Sequence, residues 1–184
     1  MRGHARQRRG STLHVGPPCL SFVSVMRLLV WHCRNLSYTD RHPSNRPASE
    51  APLTPKSSGR YSDVVAALLS IEEGDGSNEV HAAADELAQI ARMWQRKDIV
   101  LVPFAHLSNR LMGRPQAMAL LDSVYDALLA CDDLRVEKTS FGWHKDFAMA
   151  VDSYGHRGSV AYREFPLGGV LGEHDEMTQT FKRP

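Results

Sequence analysis

One stretch decides the fold: residues 98–108, which read DIVLVPFAHLS. Residues 98–102 are a short and almost continuous apolar run, the kind of strand that is buried on both faces of a sheet. The rest of the stretch leaves this strand at its carboxyl end, where open α/β sheets place their ligand sites. The stretch therefore predicts a central strand that runs directly into a functional loop.

Two amphipathic patterns, one before this stretch and one after it, each predict a helix. Before it, Ser77 is expected to cap a helix whose apolar face is formed by Val80, Ala84, Leu87, Ala91 and Trp94. After it, Pro115 suits the first turn of a second helix. The buried stripe of that helix is expected to be Leu121, Val124, Tyr125 and Leu128. We read Ser108 as a helix cap rather than as a nucleophile.

The remaining apolar runs predict the other strands. The first runs from Met26 to Cys33, and residues 36–40 are expected to turn back as its hairpin partner before a loop at 41–59. Residues 62–72 read as a strand, although their alanines and leucines leave a helix possible. The last extended segments are 134–140, 145–151 and 159–165. The order predicts an α/β fold in which a mixed sheet is covered by two helices.

The chain divides into three parts. Residues 1–25 are rich in arginine and contain no acid, and we expect an unstructured extension there with Met26 as the functional start. A transit peptide is the alternative, whereas Arg27 interrupts the apolar run that a secretory signal needs. Residues 26–165 form the predicted domain, and 166–184 a flexible tail. No run of about 18 apolar residues predicts a membrane span.

Charge and cysteine content narrow the function. The chain carries a formal net charge of +1, and because the extension holds four arginines, residues 26–184 carry −3. A general nucleic-acid binder needs a broad basic face, so that class of function is not expected. The three cysteines, Cys19, Cys33 and Cys131, are odd in number and show no CxxC spacing. A cytoplasmic location is the simplest expectation.

Several chemistries lack their motifs. The nine histidines are scattered, and no HExxH motif predicts a metal site. No GxSxG elbow, P-loop or GxGxxG appears, which argues against a serine hydrolase, an NTPase and a dinucleotide enzyme. We therefore expect neither a metal nor a cofactor.

Two motifs carry a resemblance to a known family. Residues 102–108 read VPFAHLS, and residues 141–147 read FGWHKDF about three dozen positions later. With the opening strand at 27–32 and the turn at Gly155-His156, they closely resemble the amino-terminal editing domain of archaeal-type threonyl-tRNA synthetases. That family reads PFAHLS at the first place and FG-aromatic-aromatic-Lys-x-Phe at the second. The resemblance spans about residues 26–165.

The resemblance implies a fold and an activity. The family domain has the fold of D-aminoacyl-tRNA deacylases, is dimeric, and hydrolyses seryl esters on tRNA(Thr) in a pocket lined largely by main-chain groups. The 2′-hydroxyl of the terminal ribose helps to activate the attacking water. The chain is too short to hold a synthetase's own modules, so we expect it to act in trans on the tRNA 3′ end, or to pair with a separate synthetase chain.

The resemblance also assigns roles to residues. His106 is expected to contact the ribose or the water, and Lys145 to be the main side-chain aid in catalysis. The pocket wall is expected to be Pro103, Phe104 and Ala105. Further substrate-binding residues are expected to be His32, Trp143 and His144. For each histidine and for Trp143, a role in the core or on the surface is the alternative.

The chain departs from the family at two acidic positions. The family's acid on the last strand has no direct match, since Glu164 stands several positions late. The family's acid soon after the first strand is also missing, since Arg34 and Asn35 follow His32 there. Substrate choice is therefore open. The alternatives are a D-aminoacyl-tRNA deacylase on the same fold and a non-catalytic module that binds a synthetase or an RNA end.

Overall fold

The computed structural model describes residues 26–44, 54–55, 57–152 and 159–165. The predictions for the 1–25 extension, the 166–184 tail and the Gly155-His156 turn lie outside these residues. The strands are β1 Met26–Pro43, β2 Ser58–Ser70, β3 Asp98–Pro103, β4 Arg135–Lys138, β5 Trp143–Val151 and β6 Val160–Phe165. The helices are α1 Ser77–Met93 and α2 Arg114–Leu129, and a single 3-10 turn covers Ala105–Leu107.

The strands form one mixed sheet in the order β4-β3-β2-β1-β5, and β6 also pairs with β1. β2, β3 and β4 run parallel to one another, whereas β1 is antiparallel to β2, β5 and β6. β6 pairs with the first part of β1, and β5 with the second part. The predicted class, a mixed sheet covered by two helices, is confirmed.

Both helices pack on one face of the sheet. The helix residues in this core are Val80, Ala83, Ala84, Leu87, Ala88, Ile90, Ala91, Ala117, Leu121, Val124 and Leu128. They cover alternate residues of the strands, including Leu28, Val30, Val65, Ala67 and Leu101. Burial of this apolar surface is the main term that stabilises the domain.

The opposite face of the sheet carries a second apolar cluster. Its buried members are Cys33, Leu36, Val64, Ala66, Leu68, Val100 and Val102. Larger side chains are only partly buried at its surface: Leu29, Trp31, Tyr61, Phe104, Phe147 and Met149. We call this surface the open face, because no helix among the described residues packs on it.

The predicted hairpin at residues 36–40 is wrong, since β1 continues without a turn through Pro43. Arg34 and Asn35 look like a turn in the sequence, but they lie at a register shift between Cys33 and Asn35 in the pairing with β5. Asp63 lies between Ser62 and Val64, the partners of Asn35 and Cys33 on β2, and has a φ of 53°. Such a bulge lets one strand bend and change its exposed side without ending.

Two predicted caps are also wrong. Ser77 is the first residue of α1, and the cap position belongs to Gly76, whose N–H donates to Glu79 Oε2 at 2.8 Å. Ser108 does not cap α2, which begins at Arg114; its hydroxyl accepts from the backbone N–H of Arg110 at 2.9 Å. The predicted placement of Pro115 in the first turn of α2 is confirmed.

The segment 62–72 is a strand and not a helix, although the structure begins it earlier, at Ser58, within the predicted loop. Its alternating partners on β1 and β3 satisfy its backbone on both sides. No described helix is both long and apolar enough to cross a membrane.

Candidate active site

The first motif leaves the sheet at the end of β3. Pro103 is the last residue of the strand, and Phe104 remains extended before the 3-10 turn. The backbone N–H of Phe104 donates to the carbonyl of Leu69 at 2.9 Å, and the hydroxyl of Ser70 donates to the carbonyl of Phe104. Two bonds from β2 therefore fix Phe104, whereas Ala105 beyond it is exposed.

The second motif forms the turn into β5 and the start of that strand. Gly142 has a φ of 79°, a conformation that favours glycine, and the strand begins at Trp143. Trp143, Lys145 and Phe147 alternate with exposed residues, so they lie on one face of β5. The indole N–H of Trp143 donates to the carbonyl of Thr54 at 2.7 Å.

The two motifs meet on the open face. A small apolar groove of about 90 Å³ lies there, lined by Trp31, Leu36, Ala66, Leu68, Val102, Phe104, Phe147 and Met149. Phe104 comes from the first motif and Phe147 from the second. Segments that are some 40 residues apart in the chain therefore contribute to one site.

A larger and more open depression lies across β2, β1 and β5. It measures about 450 Å³, and its lining includes Asn35, Ser37, Arg60 and Ser62. None of the predicted site residues lines it. The smaller groove is therefore the better candidate for the active site.

Lys145 is buried beside Asp40. Its side chain is 4% exposed, and its Nζ lies 3.6 Å from Asp40 Oδ1. The ammonium donates to the carbonyls of Ser140 at 2.5 Å and Trp143 at 3.3 Å. Burial lowers the pKa of Lys145, and the Asp40 carboxylate opposes this shift. In this arrangement the ammonium holds the turn that precedes β5.

Asp40 is a residue that the sequence reasoning missed. It is fully buried, and its Oδ2 accepts from the backbone N–H of Ser57 at 2.7 Å and from the Ser140 hydroxyl. Asp40 therefore joins β1, the segment before β2 and the turn before β5. Its position opposite Lys145 in the β1–β5 ladder depends on the continuation of β1, which the hairpin prediction precluded.

His106 lies in the 3-10 turn at the edge of the motif. Its side chain is exposed, and its ring meets that of Phe104 edge-on, with the centroids 5.2 Å apart. Since Phe104 lines the groove, the imidazole stands close to the groove's edge. It is free there to meet a ligand from solvent.

His32 lies on the helix side of the sheet. Its ring stacks on Trp94, and its Nε2 accepts from Arg96 Nε at 2.6 Å. Burial lowers the pKa of His32, and the Arg96 guanidinium lowers it further, whereas Asp152 and Asp63 raise it. The structure does not bring His32 to the groove, and these contacts favour the alternative of a satisfied core residue.

His144 points away from Trp143 and Lys145 on β5. It is exposed, and its ring lies 4.6 Å from that of His42, centroid to centroid. The structure therefore separates His144 from the groove as well. Among the described residues, no group of three or more histidine, cysteine or acidic side chains is placed to hold a metal ion.

Comparison with known proteins identifies the family. A model of the archaea-specific editing domain of threonyl-tRNA synthetase matches residues 26–165. The chain belongs to this family. The resemblance read from the two motifs is confirmed, and with it the class of activity, editing by hydrolysis of aminoacyl-tRNA.

Individual relatives are consistent with this family assignment. The chain is 34% identical over 131 residues to a threonine-tRNA ligase of Staphylothermus marinus, covering 71% of this chain and 21% of the relative. It is 30% identical over 146 residues to a threonine-tRNA ligase editing subunit of Aeropyrum pernix, covering 79% and 33%. The chain spans about a fifth to a third of the length of these curated relatives.

One solved structure shows a similar fold, and a second is less similar. The c-Myc DNA unwinding element binding protein has a TM-score of 0.57 at 14% identity, covering 76% of this chain and 99% of that one. A probable eukaryotic D-amino acid tRNA deacylase has a TM-score of 0.46 at 10% identity, with coverage of 76% and 99%. The first likeness supports the mixed α/β fold and nothing beyond it.

Proposed function

We propose that this editing domain removes serine from mischarged tRNA(Thr). Family membership supports the class of reaction. The observation that carries the proposal is the groove on the open face, where Phe104 of the first motif and Phe147 of the second lie together. A groove of about 90 Å³ has roughly the volume of three water molecules, which suits a small aminoacyl side chain.

The chemistry explains why such a site is needed. A synthetic site built for threonine binds serine with one methyl group fewer, a difference worth about 1–3 kcal/mol, or roughly 10- to 200-fold. A second, hydrolytic site completes the discrimination. The lining of the groove is apolar, so we propose that main-chain groups and the ribose 2′-hydroxyl activate the water.

The two side chains predicted to act in catalysis receive different parts in this proposal. His106 is exposed and contacts the ring of Phe104 at the edge of the groove, which supports a role in contacting the ribose or the water. The ammonium of Lys145 is directed to two carbonyls and to Asp40. We therefore assign Lys145 a positioning role for the turn before β5, and Pro103 and Ala105 flank the site through their backbone.

The proposed partner is the 3′ end of tRNA(Thr). A separate threonyl-tRNA synthetase chain would supply the mischarged tRNA. Two relatives are named editing subunits of the ligase, which supports action in trans. The acidic net charge of residues 26–184 fits a grip limited to the end of the RNA.

We also propose a homodimer that forms through β6, at the edge of the open face, and leaves the groove accessible. Val160 and Tyr162 stand opposite Trp31 and Leu29 in the β1–β6 ladder, and both are about half exposed. A contiguous apolar surface of this kind typically marks an interface.

Sedimentation equilibrium tests the proposed dimer. Val160→Lys should yield monomers, whereas Leu129→Lys, on the helix side, should not. A monomeric wild-type chain at tens of micromolar would refute the dimer.

The deciding experiment compares three esters on one protein preparation. Seryl-tRNA(Thr), threonyl-tRNA(Thr) and a D-aminoacyl-tRNA are each incubated with the chain, and the release of amino acid is followed. We expect rapid loss of the seryl ester alone. Loss of only the D-aminoacyl ester would assign chiral proofreading, and no loss, together with tight binding of a synthetase, would assign a non-catalytic module.

A further inference from the structure

The turn that carries His106 is tied to the sheet on both sides. Upstream, the N–H of Phe104 donates to the carbonyl of Leu69 at 2.9 Å. Downstream, the carbonyl of Leu107 accepts from Nη1 of Arg27 at 2.7 Å. A three-residue turn with an exposed centre has little packing of its own, so such ties determine where its side chain stands.

Arg27 is itself held by two carboxylates. Its Nε lies 3.1 Å from Glu72 Oε1 and 3.4 Å from Glu164 Oε1. A guanidinium is planar, permanently charged and able to donate in several fixed directions. Neither carboxylate accepts a hydrogen bond from Nε, so the two acids hold the guanidinium by charge, and the bond from Nη1 to Leu107 sets its direction.

The two acids differ in their surroundings, since Glu72 is buried and the side chain of Glu164 is about half exposed. Glu72 is 2% exposed, and its backbone N–H donates to Asp75 Oδ2 at 2.7 Å. Glu164 stands opposite Arg27 in the β1–β6 ladder and accepts from the hydroxyl of Tyr162 at 2.6 Å. The tie to Leu107 is thus built from residues at the ends of three strands.

We propose that Arg27 is a positioning residue for His106, with Glu72 and Glu164 as the groups that orient it. The guanidinium bonds the residue after His106 and so sets the height of the imidazole above the groove. This assignment rests on the proposed function, because it gives His106 its part in ester hydrolysis. It also gives Glu164 a role other than replacement of the missing family acid.

The first test measures kinetics on seryl-tRNA(Thr). Arg27→Met should lower kcat about 10- to 100-fold, the effect of a misplaced group in an active site, and change KM less than about twofold. Arg163→Met is the control, since Arg163 on β6 forms a similar ion pair with Glu86 at 2.6 Å on the helix side. An unchanged kcat in Arg27→Met would overturn the assignment.

Dependence on His106 is tested by a double variant. If Arg27 acts through the imidazole, Arg27→Met added to His106→Ala should cause no further loss of kcat. Full additivity of the two losses would show that Arg27 acts elsewhere, and would overturn the proposal.

Loss of folding is separated by a second double variant. Arg27→Met strands the buried carboxylate of Glu72, which destabilises the fold on its own. Arg27→Met with Glu72→Gln removes that charge, so its melting temperature should return toward the wild-type value while kcat remains low. Recovery of kcat would mean that only stability was lost, and would overturn the proposal.

A readout without substrate separates this inference from the proposed function. Amide hydrogen exchange over residues 105–108 should accelerate at least tenfold in Arg27→Met and stay unchanged in Arg163→Met. If the wild-type chain hydrolyses none of the esters, the proposed function fails, while exchange still decides whether Arg27 holds the turn. Unchanged exchange in Arg27→Met would refute the tie.

Discussion

Lys145 and Asp40 show how a residue of a motif can act from within the fold. The ammonium of Lys145 is buried and donates hydrogen bonds to the carbonyls of Ser140 and Trp143. Its charge is balanced by Asp40 at 3.6 Å. A lysine in this setting shapes the turn before β5, and a loss of activity on its removal reports on that turn.

This pair makes a prediction about stability. Lys145→Met leaves the Asp40 carboxylate buried and unpaired, so the free energy of unfolding in urea should fall by about 3–5 kcal/mol. Adding Asp40→Asn should recover part of that loss. Lys138→Met is the control, because Lys138 pairs with Asp122 at the surface and should cost at most about 1 kcal/mol. Equal losses in Lys145→Met and Lys138→Met would contradict the buried pair.

His32 predicts a dependence of stability on pH. Its pKa in the folded chain is lowered from 6.5 by burial, and next by Arg96. As the pH falls through 6.5, the unfolded chain takes up a proton that the folded chain resists, so stability is lost from there down to the folded pKa. Above pH 7 both states are neutral and this contribution vanishes.

The measurement is thermal unfolding between pH 7.5 and 5. His32→Gln should flatten the decline in melting temperature below pH 6.5, whatever its effect at pH 7.5. His81→Gln, at an exposed position on α1, should leave the decline as it is in the wild-type chain. A wild-type slope in His32→Gln would show that other groups cause the decline.

Among the elements, periodicity predicted the helices and most strands. The apolar residues of α1 recur at helical spacing, and residues 98–102 form an unbroken apolar run, so local pattern and final burial agree. β1 could not be predicted in full, because Arg34 and Asn35 interrupt its pattern at a bulge. The bulge depends on partners in β2 and β5 that the local sequence does not specify.

A substitution of Gly59 on β2 tests how closely this strand packs against the side chains of Tyr38 and Tyr61. A Cβ there would lie 2.7 Å from Cε1 of the buried Tyr38 ring and 2.6 Å from the hydroxyl of Tyr61. Gly59→Ala should therefore lower the free energy of unfolding by about 1–3 kcal/mol. Ser58→Ala, an exposed neighbour, should change it by less than about 0.5 kcal/mol. Equal effects of the two changes in urea unfolding would contradict this packing.

At the scale of the molecule, the sequence predicted the pieces of the site better than their arrangement. Phe104 could be placed at the end of a central strand by its context. Its meeting with Phe147 could not, since it requires β1 and β2 to lie between β3 and β5 with a particular register. The same register sends His32 to the helix side and turns His144 outward, which spacing alone does not reveal.

The arrangement also explains why the sequence predicts no role for Arg27 at the site. An arginine at the second position of a strand reads as a solvated charge, and its partners Glu72 and Glu164 lie 45 and 137 residues away. Only the antiparallel pairing of β1 with β2 and β6 brings the three together beside Leu107. Contacts between segments that are far apart in the chain depend on the fold, and no short sequence motif predicts them.

We propose that Phe104 of the first motif and Phe147 of the second form one ligand site on the open face. An NMR titration tests this site: 3′-seryl-amino-3′-deoxyadenosine, whose amide replaces the labile ester, is added to the labelled chain. We predict shifts at Val102, Phe104, His106 and Phe147, and none at His144 or at Asp98 and Arg135. Shifts confined to His144 and its neighbours on the other face of β5, or to the larger depression that includes Arg60 and Ser62, would show that the ligand binds elsewhere.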